Sequence, residues 1–349
     1  MLIVHGGFHK TGSTSLQQIL RAGLIPDVCY FRDSNRAVDG EHFNLELLAE
    51  AVRASTKGPV VISCEWTFGR MTDMYRSASA RGLELSAALR GVDYRVVVFV
   101  RPVHSWLESS FVQLIQQGES PVEDSFFDRL GGPDSVGWHG VLEDLEAAFG
   151  PERLIVLPCR SGVDVVQLFA GACNFELPAA GARVANRSIP PTQAALMGLV
   201  NSRLDPHQSR YLRSVLQNQR VGRLDLFPTS PFSPDNQIRL LERSRIDWSE
   251  VWRHWGDEEF SSVHTFSSGD RPLPQADLSG IEPAMVSAIS DVLVALVTDG
   301  ERVRSSSLRA RVKRIPVVGS GLAWLSQKVR QLCVKRRGNL TLPKRTISE

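Results

Sequence analysis

The stretch that most constrains this chain is its first twenty residues, MLIVHGGFHKTGSTSLQQIL. An apolar run, Leu2–Val4, feeds a turn bearing Gly7 and Gly12 and then a helical pattern that opens at Ser13. Leu16, Ile19 and Leu20 fall at i, i+3 and i+4, which gives that helix one apolar stripe to lay on a sheet. A short strand with no polar alternation, followed at once by such a helix, is the opening of a βαβ unit, and βαβ units build parallel sheets. Further apolar runs continue the theme, with strands expected at Leu2–Val4, Val60–Ser63, Arg95–Val100 and Leu154–Leu157. Helices are expected at Ser13–Arg21, Phe43–Ala54, Val103–Gln117, Val141–Phe149 and Val163–Ala172, then at Gln237–Arg245 and Glu282–Val297. Two segments rich in Pro and Ser, Phe227–Asn236 and Phe266–Gln275, read as loops. The expected fold class is α/β, a central, mostly parallel sheet flanked by helices, with a helical second half.

The turn after the first strand is built to hold an anion. Free N–H groups at a helix start point at a ligand there, and the helix dipole favours negative charge. Ser13, Thr14 and Ser15 add hydroxyl donors, Lys10 adds a cation, and the glycines let the backbone come close. The spacing of Gly7 and Gly12 matches the phosphate-binding pattern G-x-x-x-x-G-K-[ST], yet Ser13 follows Gly12 and the lysine stands two residues ahead of it.

A second anion site is legible from Val96 to Gln116. An apolar strand ends at Arg101, Pro102 stands where a first helical residue is favoured, and Ser105, Ser109 and Gln113 form a polar line at i, i+4 and i+8. An arginine at the C-terminal end of such a strand points into the crevice where α/β proteins bind ligands, and it can grip a phosphate with two nitrogens.

These two motifs carry a resemblance. "HKTGSTSLQ" resembles the 5′-phosphosulfate loop of the sulfotransferases that use 3′-phosphoadenosine 5′-phosphosulfate (PAPS), in its bacterial form. The spacing from Arg101 to Ser109 is similar to their 3′-phosphate motif, a strand arginine followed eight residues later by a helix serine. The likeness covers residues 1–190. It implies a P-loop-like sulfotransferase fold, with Lys10 directed at the oxygen that bridges phosphate and sulfate. It further implies PAPS contacts from Thr11, Gly12, Ser13, Thr14, Ser15, Arg101 and Ser109, and no metal. Arg187, in Asn186–Ser188, or Arg183 would supply a third 3′-phosphate ligand, because the Arg-Lys-Gly of the animal enzymes is absent. The implied reaction moves a sulfuryl group from PAPS to a hydroxyl, with a carbohydrate or glycolipid-like acceptor expected. The alternatives are a P-loop kinase or NTPase and a non-catalytic nucleotide-binding scaffold of the same fold. The kinase would need a Walker lysine and a strand-end Asp for Mg²⁺, where this chain has Arg101.

Transfer to a hydroxyl needs a group to take its proton. Glu65, after the strand VVISC, is the first choice, because partial burial at a strand end raises a carboxyl pKa toward a useful value. His42, read as opening a helix, is the second, and His9, beside Lys10, the third. Trp66 could line the acceptor pocket or the core, and the core is the preferred reading.

Five dispersed cysteines with no C-x-x-C pair argue against a disulfide framework and against zinc. No segment is apolar enough to span a bilayer, and the N-terminal residues read as a strand rather than a signal peptide. A cytoplasmic location is expected. Charge is uneven: residues 301–349 carry thirteen Lys/Arg against two Glu, whereas the whole chain is only +2. The chain is therefore divided into a sulfotransferase-like domain, 1–300, and a basic amphipathic appendage, 301–349. Residues 309–339 are expected to touch an anionic membrane peripherally. Nucleic acid is not an expected partner, since the body is acidic.

Overall fold

The computed structural model describes residues 1–31, 34–39, 42–160, 163–177, 191–205 and 230–256, together with 207–210, 212–213, 290 and 294. These fall into two compact units. The first holds residues 1–111, 122–188 and 232–273 and contains the sheet; the second includes 112–121 and 189–231.

The fold is α/β. The main sheet has five strands: β1 (Leu2–Gly6), β2 (Cys29–Tyr30), β5 (Val60–Cys64), β6 (Tyr94–Val100) and β7 (Leu154–Pro158), in the order β2-β5-β1-β6-β7. Every pairing in it is parallel, with Leu2 beside both Val60 and Tyr94. A small antiparallel ribbon pairs β3 (Val38–Asp39) with β4 (His42–Phe43).

The strands lack polar alternation because helices cover the sheet. Ile3, Val61, Val97 and Phe99 pack with Leu16 and Leu20 of α1 (Ser13–Arg21) and with Phe169 and Cys173 of α8 (Val165–Cys173). Leu2, Val4, Val96 and Val98 are just as buried and point the other way, as alternate strand residues must. On that side Tyr94 meets Phe149 of α7 (His139–Phe149) edge to face at 6.3 Å.

Helix α3 is Leu45–Ser55 and α5 is Val103–Gln116. The long helix Pro234–Trp255 starts inside the stretch read as a loop up to Asn236 and runs ten residues beyond the expected end at Arg245. Its proline sits at the start, where a missing N–H costs nothing. Four further helices, α2 (Ser34–Ala37), α4 (Ala78–Ala88), α6 (Glu123–Leu130) and α9 (Pro191–Asn201), were not expected from the sequence. His42 does not open a helix. It lies in β4, and Asn44 is the N-cap of α3, accepting the Leu47 N–H at 3.1 Å.

Chain direction sets the ligand crevice. From β1 the connection leads toward β2 and β5; from β6 it leads the opposite way, to β7. Where neighbouring strands send their connections apart, a crevice opens at their C-terminal ends. Here that place lies between β1 and β6, where Lys10 and Arg101 follow their strands. The boundary at residue 300, the basic segment, Glu282–Val297 save for Val294 and Ser290, the loop 266–275, Arg183 and Arg187 lie outside the described residues.

Among the described residues no helix is long and apolar enough to cross a membrane.

Candidate functional site

Helices α3 and α8 have side-chain caps, Asn44 and Asp164, the latter accepting the N–H groups of Val166 and Gln167. Helix α1 has none. Gly12 stands at its N-cap with φ 88°, and the first turn closes on the Gly12 carbonyl, from Ser15 at 3.0 Å and Leu16 at 3.4 Å. A Cβ on Gly12 would also come within 3.0 Å of Val165, so both conformation and space require glycine. An uncapped helix start at the C-terminal edge of a parallel sheet is an anion site in waiting.

Lys10 has φ 64°, in the left-handed region that side chains other than glycine seldom enter. Such a residue persists only where its surroundings hold it, and here they do. The N–H of His9 donates to the Tyr75 hydroxyl at 2.6 Å, and the His9 carbonyl accepts the Trp106 indole N–H at 2.8 Å. Thr11 donates its hydroxyl to the Phe8 carbonyl at 2.6 Å, so that hydroxyl ties the loop together. Phe8 stacks on Trp138 at 4.6 Å.

Glu65 follows β5 at the same edge of the sheet. Burial raises its pKa, while the charge of Lys10 and the Ser13 hydroxyl pull it back down. Lys10, Ser13 and Glu65 thus share one electrostatic neighbourhood. His9 is kept neutral: burial, and then Lys10, push its pKa down to about 4. Its Nδ1 sits 2.9 Å from the Tyr75 hydroxyl, and no described group partners its buried Nε2. His5 in β1 is likewise pushed down to about 4 by burial, with Nδ1 2.7 Å from the Ser63 hydroxyl. His42 is exposed on its ribbon. Trp66 is not in the core. It is 42% exposed, beside Glu65, and meets His9 edge to face at 4.6 Å.

At the end of β6, Arg101 is half-buried, and burial lowers its pKa. Its Nε donates to the Ser105 hydroxyl at 3.0 Å, and that hydroxyl in turn donates to the Pro102 carbonyl at 3.0 Å. Nη1 and Nη2 make no hydrogen bond among the described residues. The sequence pairs Arg101 with Ser109, and Ser109 is half-buried one turn further along α5. The serine that holds Arg101 is Ser105. Ser105 lies on the polar line read from the sequence, in which Ser109 is paired with Arg101 as a phosphate contact and not as its hydrogen-bond partner.

Sequence reasoning also missed Trp138, whose indole N–H donates to the Arg101 carbonyl at 2.6 Å. A groove of about 430 Å³ lined by His139, Glu250, Arg253 and His254 holds none of the candidate residues. Cys64 and Cys173 are buried thiols, and Cys29 and Cys159 are also free. No protein-family model and no curated protein matches this chain.

Proposed function

We propose that this chain is a PAPS-dependent sulfotransferase of the P-loop-like kind, acting on a hydroxyl of a carbohydrate or glycolipid-like acceptor. The observation that carries the reading is the uncapped start of α1 with Lys10 held before it in a left-handed backbone. A lysine two residues ahead of the helix-capping glycine suits a leaving phosphate oxygen at the loop. Electrostatic stabilisation of such developing charge, in a site closed to water, is commonly the largest catalytic effect.

In the proposed step the acceptor oxygen attacks sulfur, the bond from sulfur to the bridging phosphate oxygen breaks, and 3′,5′-adenosine bisphosphate leaves. The N–H groups at the start of α1 and the Ser13, Thr14 and Ser15 side chains bind the 5′ end. Lys10 meets charge on the leaving oxygen. Glu65 accepts the acceptor's proton, and its raised pKa makes it a better base than an exposed carboxylate. Arg101 grips the 3′-phosphate through Nη1 and Nη2, with Ser105 holding Nε. Ser109 and Arg187 are further proposed contacts. The basic residues 309–339 are proposed to bring the enzyme to anionic lipid surfaces.

Incubation of the full chain with PAPS and a panel of hydroxyl acceptors, following 3′,5′-adenosine bisphosphate release, tests this. Acceptor-dependent release is expected without added Mg²⁺. Tight, Mg²⁺-dependent binding of ATP with no release from PAPS would replace this reading with that of a kinase or NTPase.

A further inference from the structure

The turn that carries Arg101 is held from behind by one helix. Trp138, which donates to the Arg101 carbonyl, is fully buried and packs edge to face on Trp106 at 5.0 Å as well as on Phe8. Its ring therefore cannot shift without disturbing the core. Its own backbone N–H donates to Oδ1 of Asp247 at 2.7 Å, and the next N–H, of His139, donates to the same oxygen at 3.1 Å. Asp247 lies on Pro234–Trp255 with no exposure, and its Oδ2 has no partner among the described residues. From the same helix the Ser244 hydroxyl lies 3.1 Å from His104 Nδ1 and accepts the His104 N–H at 3.4 Å. Arg243 Nε donates to the Val136 carbonyl at 2.9 Å. The helix thus grips the start of α5 just beyond Arg101 and the start of α7 just before Trp138's contact with it.

A buried carboxylate is costly to keep unless something needs it. Burying one here to hold two N–H groups makes mechanical sense if the position of Trp138 matters. We propose that Asp247 is a positioning residue for the anion that Arg101 grips: Asp247 fixes the start of α7, Trp138 carries that constraint to the Arg101 carbonyl, and the Arg101 terminal nitrogens are set for a nucleotide 3′-phosphate. This rests on the nucleotide reading of the site. An ordinary helix cap would contribute stability alone; a positioning residue also shapes which ligands bind.

Calorimetric titration of the full chain with 3′,5′-adenosine bisphosphate and with adenosine 5′-monophosphate, which lacks the 3′-phosphate, separates the two. The wild type is expected to prefer the bisphosphate, and Arg101→Ala to lose that preference. Asp247→Ala should lose about tenfold or more of it, since misplacement of a ligand-binding group on the scale of 1 Å is that costly. Affinity for the monophosphate should stay as in the wild type. Asp247→Asn should restore the preference, because its amide oxygen can accept both N–H groups. If Asp247→Ala does not fold, Trp138→Phe keeps one aromatic ring, removes the indole donor with the pyrrole part of the side chain, and should show the same selective loss. A folded Asp247→Ala or Trp138→Phe protein with wild-type preference overturns the positioning role while leaving the nucleotide reading intact. A wild type with no preference for the bisphosphate, or Arg101→Ala with the preference unchanged, overturns the nucleotide reading and this inference with it.

Discussion

The indole N–H of Trp106, on α5, donates to the carbonyl of His9, in the loop after β1, at 2.8 Å. This bond joins the helix that begins beside Arg101 to the loop that carries Lys10. Both partners are buried, Trp106 completely and His9 to within 2%. The two candidate anion sites are therefore parts of one packed structure. Trp106→Phe removes the donor with the pyrrole part of the indole, leaving the His9 carbonyl without its bond and a small cavity beside it. The stranded polar group costs about 1–3 kcal/mol, and the cavity adds to that. Thermal melting checks it, and an unchanged melting temperature would show that the carbonyl finds another donor.

Lys10 offers a test in which stability and activity move apart. Its left-handed backbone costs a non-glycine residue roughly 1–2 kcal/mol, partly offset for glycine by the larger entropy of its unfolded chain. Lys10→Gly should thus be as stable as the wild type or more stable by up to about 1 kcal/mol, yet have no sulfuryl transfer. Lys10→Ala should lose transfer with no gain in stability. Melting temperature and release of 3′,5′-adenosine bisphosphate are the two readouts. Full activity in Lys10→Gly would remove Lys10 from the reaction.

The α/β class and the four longer strands were legible because a strand buried on both faces leaves an unbroken apolar run, as in VVISC and YRVVVFV. The uncapped start of α1 was legible too, since glycine and hydroxyl residues crowd a short turn there. β2 was missed because it contributes only Cys29 and Tyr30 to the sheet edge. The helix Ala78–Ala88 was missed because Arg81, a charged residue, is buried on its inner face and breaks the apolar period. Trp138 and Asp247 lie 109 positions apart, and their bond joins a backbone N–H to a side chain. Such a pairing leaves no periodicity to read. Trp66 shows the opposite error: an aromatic residue after a core strand suggests burial, but the chain turns outward there.

The proposed role of Glu65 as base gives an expected pH dependence of turnover. Its ordinary value is 4.5, and burial lifts it, against the smaller opposing effects of Lys10 and Ser13. A base works only when deprotonated, so kcat/KM should rise with pH through a pKa above that ordinary value. Glu65→Gln should bind 3′,5′-adenosine bisphosphate as the wild type does and turn over about 10²–10⁴-fold more slowly, with that limb of the profile gone. Wild-type turnover in this variant would move the role to His42 or His9.

Asp247 makes a separate prediction about stability. Burial pushes its pKa from 3.8 up to about 6, and the raising charge of Glu250 adds to this, while the N–H groups of His139 and Trp138 and the charge of Arg243 act in the opposite direction. Between these values the folded protein holds a proton that the unfolded chain has released. Protons bound preferentially by the folded state make stability fall as pH rises. The contribution of Asp247 is therefore fully present below about pH 4 and lost as pH climbs through about 6. Protonation at Oδ2, which has no described partner, leaves both bonds to Oδ1 in place, so the fold keeps its geometry across this range. Asp247→Asn cannot ionise. Its melting temperature should exceed that of the wild type above about pH 6, and the gap should close as pH falls toward 4. The comparison cancels the titrating groups that do not interact with position 247, because both proteins carry them. A gap that is constant from pH 4 to pH 8, or that widens toward acid, would mean that Asp247 is not held at a raised pKa by its burial.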